Sequence, residues 1–143
     1  MTTYAADILN TAQPAQSDDA EQLGPEVRKL KEYVARTPQR VVAANYQLDL
    51  TDVSKEQFQD AADVTQRTVT LPTNATVAFP VGTQIPFCVE NGAGGLLISP
   101  AVGVTLRKAG SGTTGVATLS PNADALLHQV KVNVWYISGA GVA

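Results

Sequence analysis

From Arg40 onward the chain is a succession of short β-branched runs, each cut off by glycine or proline. That punctuation limits the fold more than any other feature. A helix needs about ten to twelve uninterrupted residues, whereas a strand needs only four to eight. The runs are RVVAA, YQLDL, KEQFQ, RTVTL, TQIPFCVE, GLLIS, VTLRK, GVATL and LLHQVKVNVWYIS. In YQLDL, Tyr46, Leu48 and Leu50 alternate with polar residues, as a half-buried strand requires. Asp52 to Ser54 reads as a turn, and KEQFQ as a returning strand, with a short helix as the alternative. The links PTNATVAFPVG, NGAGG, PAVG, AGSGTT and SPNADA are rich in breakers. This pattern predicts a mainly β domain over residues 39–143, a small antiparallel sandwich or barrel. Pro86 is expected on an edge strand or at a bulge, because proline donates no ladder hydrogen bond.

The residues upstream differ in composition. Residues 1–22 are polar, alanine-rich and acidic toward their end, and predict an extended tail that orders only against a partner. Residues 23–38 predict a short α-helix. Pro25 suits the first helical position, Glu26 and Arg36 complement the two ends of the dipole, and Pro38 stops the helix. Leu23, Val27, Leu30 and Val34 recur at alternating spacings of four and three and form one narrow apolar stripe. Such a stripe packs either on its own β-domain or on copies of itself, and these four residues are the candidate oligomer interface.

Two glycine clusters invite a nucleotide-binding reading. In AGSGTTGVATL, Gly110 and Gly115 stand as in a phosphate loop, yet Val116 and Ala117 occupy the places of the lysine and the hydroxyl residue. In VENGAGGLLISP the glycines lead into LLIS and then Pro100, which leaves no room for the helix of a dinucleotide fingerprint. Both clusters therefore read as chain corners, with Asn91-Gly92 as a hairpin signal.

Other chemistry is equally thin. Cys88 is the sole cysteine and His128 the sole histidine, so neither an internal disulfide nor a thiolate metal site is expected. Cys88 between apolar neighbours reads as a small core residue, and His128 as a strand residue with its ring half-buried or exposed. The pairs Asp18-Asp19 and Asp60-Asp63 fall in the tail and in a link, which is poor support for a glycosidase's two carboxylates. Asn74-Ala75-Thr76 fits a glycosylation acceptor but follows no secretion signal. Trp135 and Tyr136 fit core or interface packing. A net charge of −3 with ten Lys and Arg argues against nucleic-acid binding. No apolar run reaches the ~18 residues of a membrane span. The expectation is a soluble protein made in a reducing compartment, with no catalytic, cofactor or metal residues.

The order YQLDLTDVSK, then RTVTLPTNATVAFPVGTQIPFCVENGAGGLLISPAVGVTLRKAGSGTTGVATL, then VWYISGAG resembles a β-domain frequent in tailed-bacteriophage structural proteins. The shared marks are a Thr-Val-Thr strand leading to proline and the aromatic-Pro-x-Gly-Thr turn at Phe79 to Thr83. An Asn-Gly-Ala-Gly corner and a closing tryptophan strand complete them. Upstream, TAQPAQSDDAEQLGPEVRKLKEYV is similar to the linker of phage fibre and decoration proteins. The segments EQFQDAADVTQ and SPNADALLHQVKVN depart from that pattern. The resemblance implies a non-enzymatic virion protein of the short-fibre or capsid-decoration (head-fibre) type. Such a protein is a homotrimer assembled in the host bacterial cytoplasm. Its tail anchors to another virion protein, such as the major capsid or a neck or tail protein. A tail-fibre or neck-fibre component is the nearest alternative. A carbohydrate-binding module recognising a host surface glycan is another, although Tyr4, Phe58, Phe79, Phe87 and Tyr136 do not cluster in sequence.

Overall fold

The computed structural model describes residues 37–143. The expected tail over 1–22 and the stripe Leu23, Val27, Leu30 and Val34 lie outside the described residues. Pro38–Ala143 forms one compact unit. It is mainly β, as expected, with nine strands: β1 (Gln39–Val41), β2 (Tyr46–Gln47), β3 (Glu56–Gln59), β4 (Arg67–Leu71), β5 (Gln84–Val89), β6 (Leu96–Pro100), β7 (Thr105–Lys108), β8 (Ala117–Lys131) and β9 (Val134–Val142). A single 3-10 turn, Leu50–Asp52, separates β2 from β3.

The pairing is mixed rather than antiparallel throughout. β1, β3 and β5 form one parallel arm, and β2, β4 and β6 form another. The chain passes from the first arm to the second through a short corner and returns through a longer loop. It crosses three times and returns twice, so successive strands of one arm run the same way. β8 joins the arms: Ala117–Ile98 through Leu119–Leu96 pair it with β6, and Asp124–Cys88 through His128–Gln84 pair it with β5, all antiparallel. The sheet order β1-β3-β5-β8-β6-β4-β2 is thus a U with β8 at its bend and β1 and β2 at its two tips. β9 runs antiparallel along β8, and β7 runs parallel to β9.

Two local expectations change with this topology. Asn91-Gly92 is a corner between arms, not a hairpin. β5 and β6 do not pair with each other, and of the two residues only Gly92 takes a positive φ, 94°. Pro86 lies neither on an edge nor at a bulge: β5 has β3 on one side and β8 on the other. Its missing N–H is tolerated because the β3 ladder starts one residue later, at Gln57 against Phe87.

Side chains alternate between the inside of the U and its outer faces. In the strands nearest the bend the inward residues are all apolar: Ile85, Phe87 and Val89 on β5, Leu96 and Ile98 on β6. Each such side chain contributes about 1.5–3 kcal/mol when fully buried. Toward the tips polar groups enter, with Gln57 and Gln59 buried on β3, then Arg40 and Tyr46 at the mouth. Trp135 from β9 packs edge-on against Phe79, with ring centroids 5.3 Å apart. Cys88, expected in the core, faces outward and is half-buried, because strand parity gives the inward places to Phe87 and Val89. His128 is half-buried on β8, as read from sequence.

Candidate functional site

The mouth of the U gathers the polar side chains that the strand pattern turns inward. Arg40 on β1 and Tyr46 on β2 belong to opposite arms. They meet across the gap, the guanidinium lying 3.9 Å from the ring centroid. A cation over an aromatic face is worth about 0.5–1 kcal/mol when exposed and ~2 kcal/mol when desolvated. Arg40 Nη1 also donates to Asp52 Oδ1 at 2.7 Å, and the Asp52 side chain is fully buried. Asp52 is presented by the 3-10 turn, where its second oxygen accepts from Asp49 N at 2.9 Å. Tyr46 Oη donates to Gln57 Oε1, and Gln57 Nε2 donates to Lys55 O at 3.1 Å.

Burial also governs the protonation of the tyrosine in this group. Burial, with the Asp52 carboxylate adding to it and Arg40 opposing, pushes the Tyr46 phenol well above its ordinary range. Tyr46 therefore stays a neutral donor at physiological pH. Beside it lies a shallow cavity of about 220 Å³ lined by Arg40, Val41, Val42, Ala43, Ala44 and Tyr46. That is the volume of a side chain or two, below the ~300–1,000 Å³ usual for ligand pockets. Nothing in the sequence pattern marks Arg40 and Tyr46 as a joint site. Each alone carries a signal, since Arg40 shares strand parity with the core residue Val42, and Tyr46 with Leu48.

A second polar group locks two corners together. Arg67 clasps Asp63 with both Nε and Nη2 at 2.8 Å, and Gln59 Nε2 donates to Asp63 Oδ2 at 3.2 Å and to Thr65 O at 2.8 Å. Gln59 Oε1 then accepts from Gly95 N at 2.9 Å, tying the 60–66 corner to the NGAGG corner. That cluster is a chain corner, as read from sequence, and its glycines also permit close chain approach: Gly94 N donates to Asp63 O at 2.9 Å, which brings its Cα against the backbone of Thr65. The cluster at 109–115 is a surface loop. Lys108 N bonds to Thr113 O at 3.1 Å, and Gly110 and Gly115 have open space around them.

Asp63 and Asp60 share a corner, but Asp63 is held by Arg67, so the two do not form an acid–base pair. The hydrogen bond from Arg67 comes first among the causes that hold the Asp63 carboxyl down at about 2. Its folded pKa lies below the ordinary 3.8, so the contribution to stability is complete above about pH 4 and lost as pH falls through about 2. Asp63→Asn should accordingly lower the melting temperature by a constant amount at neutral and mildly acidic pH. The gap to wild type should close between about pH 4 and pH 2, as a melting series against pH would read.

Every buried side-chain polar atom among the described residues has a hydrogen-bond partner. Buried Gln129, with its amide nitrogen turned inward, donates to Phe79 O at 2.9 Å and Pro80 O at 3.0 Å, and so fastens the Phe79–Thr83 turn. No helix among the described residues is long and apolar enough to cross a membrane. Comparisons with known families, characterised proteins and solved structures find none that matches this chain.

Proposed function

We propose that this chain is a non-enzymatic bacteriophage virion protein, a homotrimeric capsid-decoration or head-fibre subunit anchored through its N-terminal residues. The observation that carries this reading is the division of the chain. A compact, internally satisfied β-domain begins at Pro38, after a segment of wholly different composition. A compact β-unit preceded by a segment of different composition suits a displayed knob. The polar groups of the mouth fit it too, since Arg40, Tyr46, Asp52 and Gln57 are consumed in holding the two tips together. The sequence resemblance supplies the phage setting. Three linked copies turn weak anchoring contacts into avidity, because the second and third become effectively intramolecular. The anchoring partner is then another virion protein, the major capsid protein or a neck or tail component.

Deleting residues 1–22 should abolish incorporation into particles while circular dichroism and melting show the β-domain folded. Normal occupancy after the deletion would remove the anchoring role.

The carbohydrate-binding alternative draws on one outward group. The Tyr136 ring has His128 with its centroid 5.9 Å away and the Arg107 guanidinium also at 5.9 Å, all half-buried on one face. Selective retention of the full chain on a glycan array, lost in Tyr136→Ala, would favour that reading.

A further inference from the structure

Two of the three described arginines find a carboxylate among the described residues, and the third does not. Arg40 donates to Asp52 at 2.7 Å, and Arg67 clasps Asp63 at 2.8 Å. Arg107 on β7 instead has its guanidinium 5.9 Å from the Tyr136 ring centroid. The His128 ring lies 5.9 Å from Tyr136 on the opposite side, because β9 runs between β7 and β8. Strand register extends this group into one row across the outer face: Gln84, His128, Tyr136, Arg107 and Thr114. Neighbouring strands are ~4.8 Å apart, so the row is about 19 Å long. Gln84 and Thr114 at its ends are exposed, and the three residues between them are half-buried. Among the described residues none of these five side chains is engaged in a hydrogen bond. At the mouth of the U, by contrast, Arg40, Tyr46 and Gln57 all are.

The chemistry of the row selects the ligand. Arg107 offers five N–H donors and no acceptor, in the fork that matches a carboxylate. Lys131 brings a second cation in the next row, beside Val134 and Thr105. On the other side the adjoining row is Pro86, Leu126 and Ser138. None of these residues is acidic, although Asp and Glu outnumber Lys and Arg in the chain by 13 to 10. What complements the row is therefore an anion from outside. Around Arg107, the phenol, imidazole, amide and hydroxyl groups of Tyr136, His128, Gln84 and Thr114 can each donate and accept, as the hydroxyls of a sugar require. An acidic peptide is the poorer fit. Sheets take peptides along an edge through free backbone groups, whereas this row crosses the face.

We propose that this row binds an acidic sugar residue of a surface glycan, its carboxylate on the Arg107 fork and its hydroxyls on the polar groups to either side. The inference rests on the carbohydrate-binding reading and names the class of glycan. The test is retention of the full chain on an array of uronic-acid and sialic-acid glycans beside their carboxyl-reduced counterparts, with poly-glutamate as an acidic peptide. Retention is expected on the carboxylated glycans alone. Arg107→Lys, which keeps the charge but not the fork, should weaken it about tenfold. Equal retention of a glycan and its carboxyl-reduced counterpart overturns the acidic class and leaves carbohydrate binding standing. Retention of no glycan overturns both. Binding to poly-glutamate as tight as to the glycans overturns the sugar, and undiminished affinity in Arg107→Lys overturns the assignment to this row. Should that variant fail to fold, Gln84→Ala combined with Thr114→Ala decides, since both positions are exposed. A several-fold loss is expected, and an unchanged affinity overturns the proposal.

Discussion

Gly94→Ala is expected to cost about 3 kcal/mol, the upper end of what overpacking a close-fitted site does, while Gly112→Ala changes stability by less than about 0.5 kcal/mol. A Cβ built on Gly94 would stand 2.3 Å from the carbonyl carbon of Thr65 and 2.5 Å from Val64 O, both backbone atoms that cannot swing aside. Relief would require moving the 60–66 corner away from the NGAGG corner. That would break the bonds from Gly94 N to Asp63 O and from Gly95 N to Gln59 Oε1. Gly112 has nothing within 4 Å and no positive φ. Urea denaturation of the two variants measures the contrast directly. Equal stabilities would mean that the two corners are not in contact in solution.

Trp135→Ala should cost about 4 kcal/mol, within the range for removing a large buried aromatic. Trp135 is 1% exposed on β9 and packs edge-on against Phe79. Phe79 begins the turn that Gln129 fastens through two carbonyls, so the cavity would also loosen the Phe79–Thr83 segment. The same denaturation experiment reads the midpoint. Thermolysin cleavage near Phe79 at native temperatures should rise in parallel, whereas a loss below about 1 kcal/mol would show that the indole is not part of the core. Trp135→Phe should recover most of the loss, because it keeps the aromatic contact.

The strands were legible because their residues satisfy a two-residue period independently of what they pair with. RTVTL and VTLRK contain β4 and β7 to within a residue of their ends. The pairing was not legible, and the reason is local. A link such as NGAGG serves a hairpin or a corner between arms equally well. Only the distant partners of β5 and β6 decide which it is. The link SPNADA reads as irregular, and it is. Asn122 takes φ 69° and the register shifts between Leu119 and Asp124, but the chain bends there without leaving β8. LLHQVKVNVWYIS is the converse case, one run concealing a turn at Val132-Asn133 whose φ of 57° at Asn133 asparagine accommodates. Cys88 was misplaced for want of parity: flanking apolar residues mark a strand as buried, and only the register shows which alternate residues face inward. The Arg40–Tyr46 contact lay beyond sequence reading for a further reason, since the two residues sit on different arms and meet only once the U has closed.

β8 carries a timing consequence. No other strand pairs with both the arm ending in β5 and the arm ending in β6, and β8 begins only at Ala117. A nascent chain stalled before that residue holds six parallel-paired segments without a keystone, their apolar faces unclosed and open to proteolysis. A chain cut short there is expected to be digested faster than one translated through the bend, so the late strand sets the moment at which the two arms close on each other.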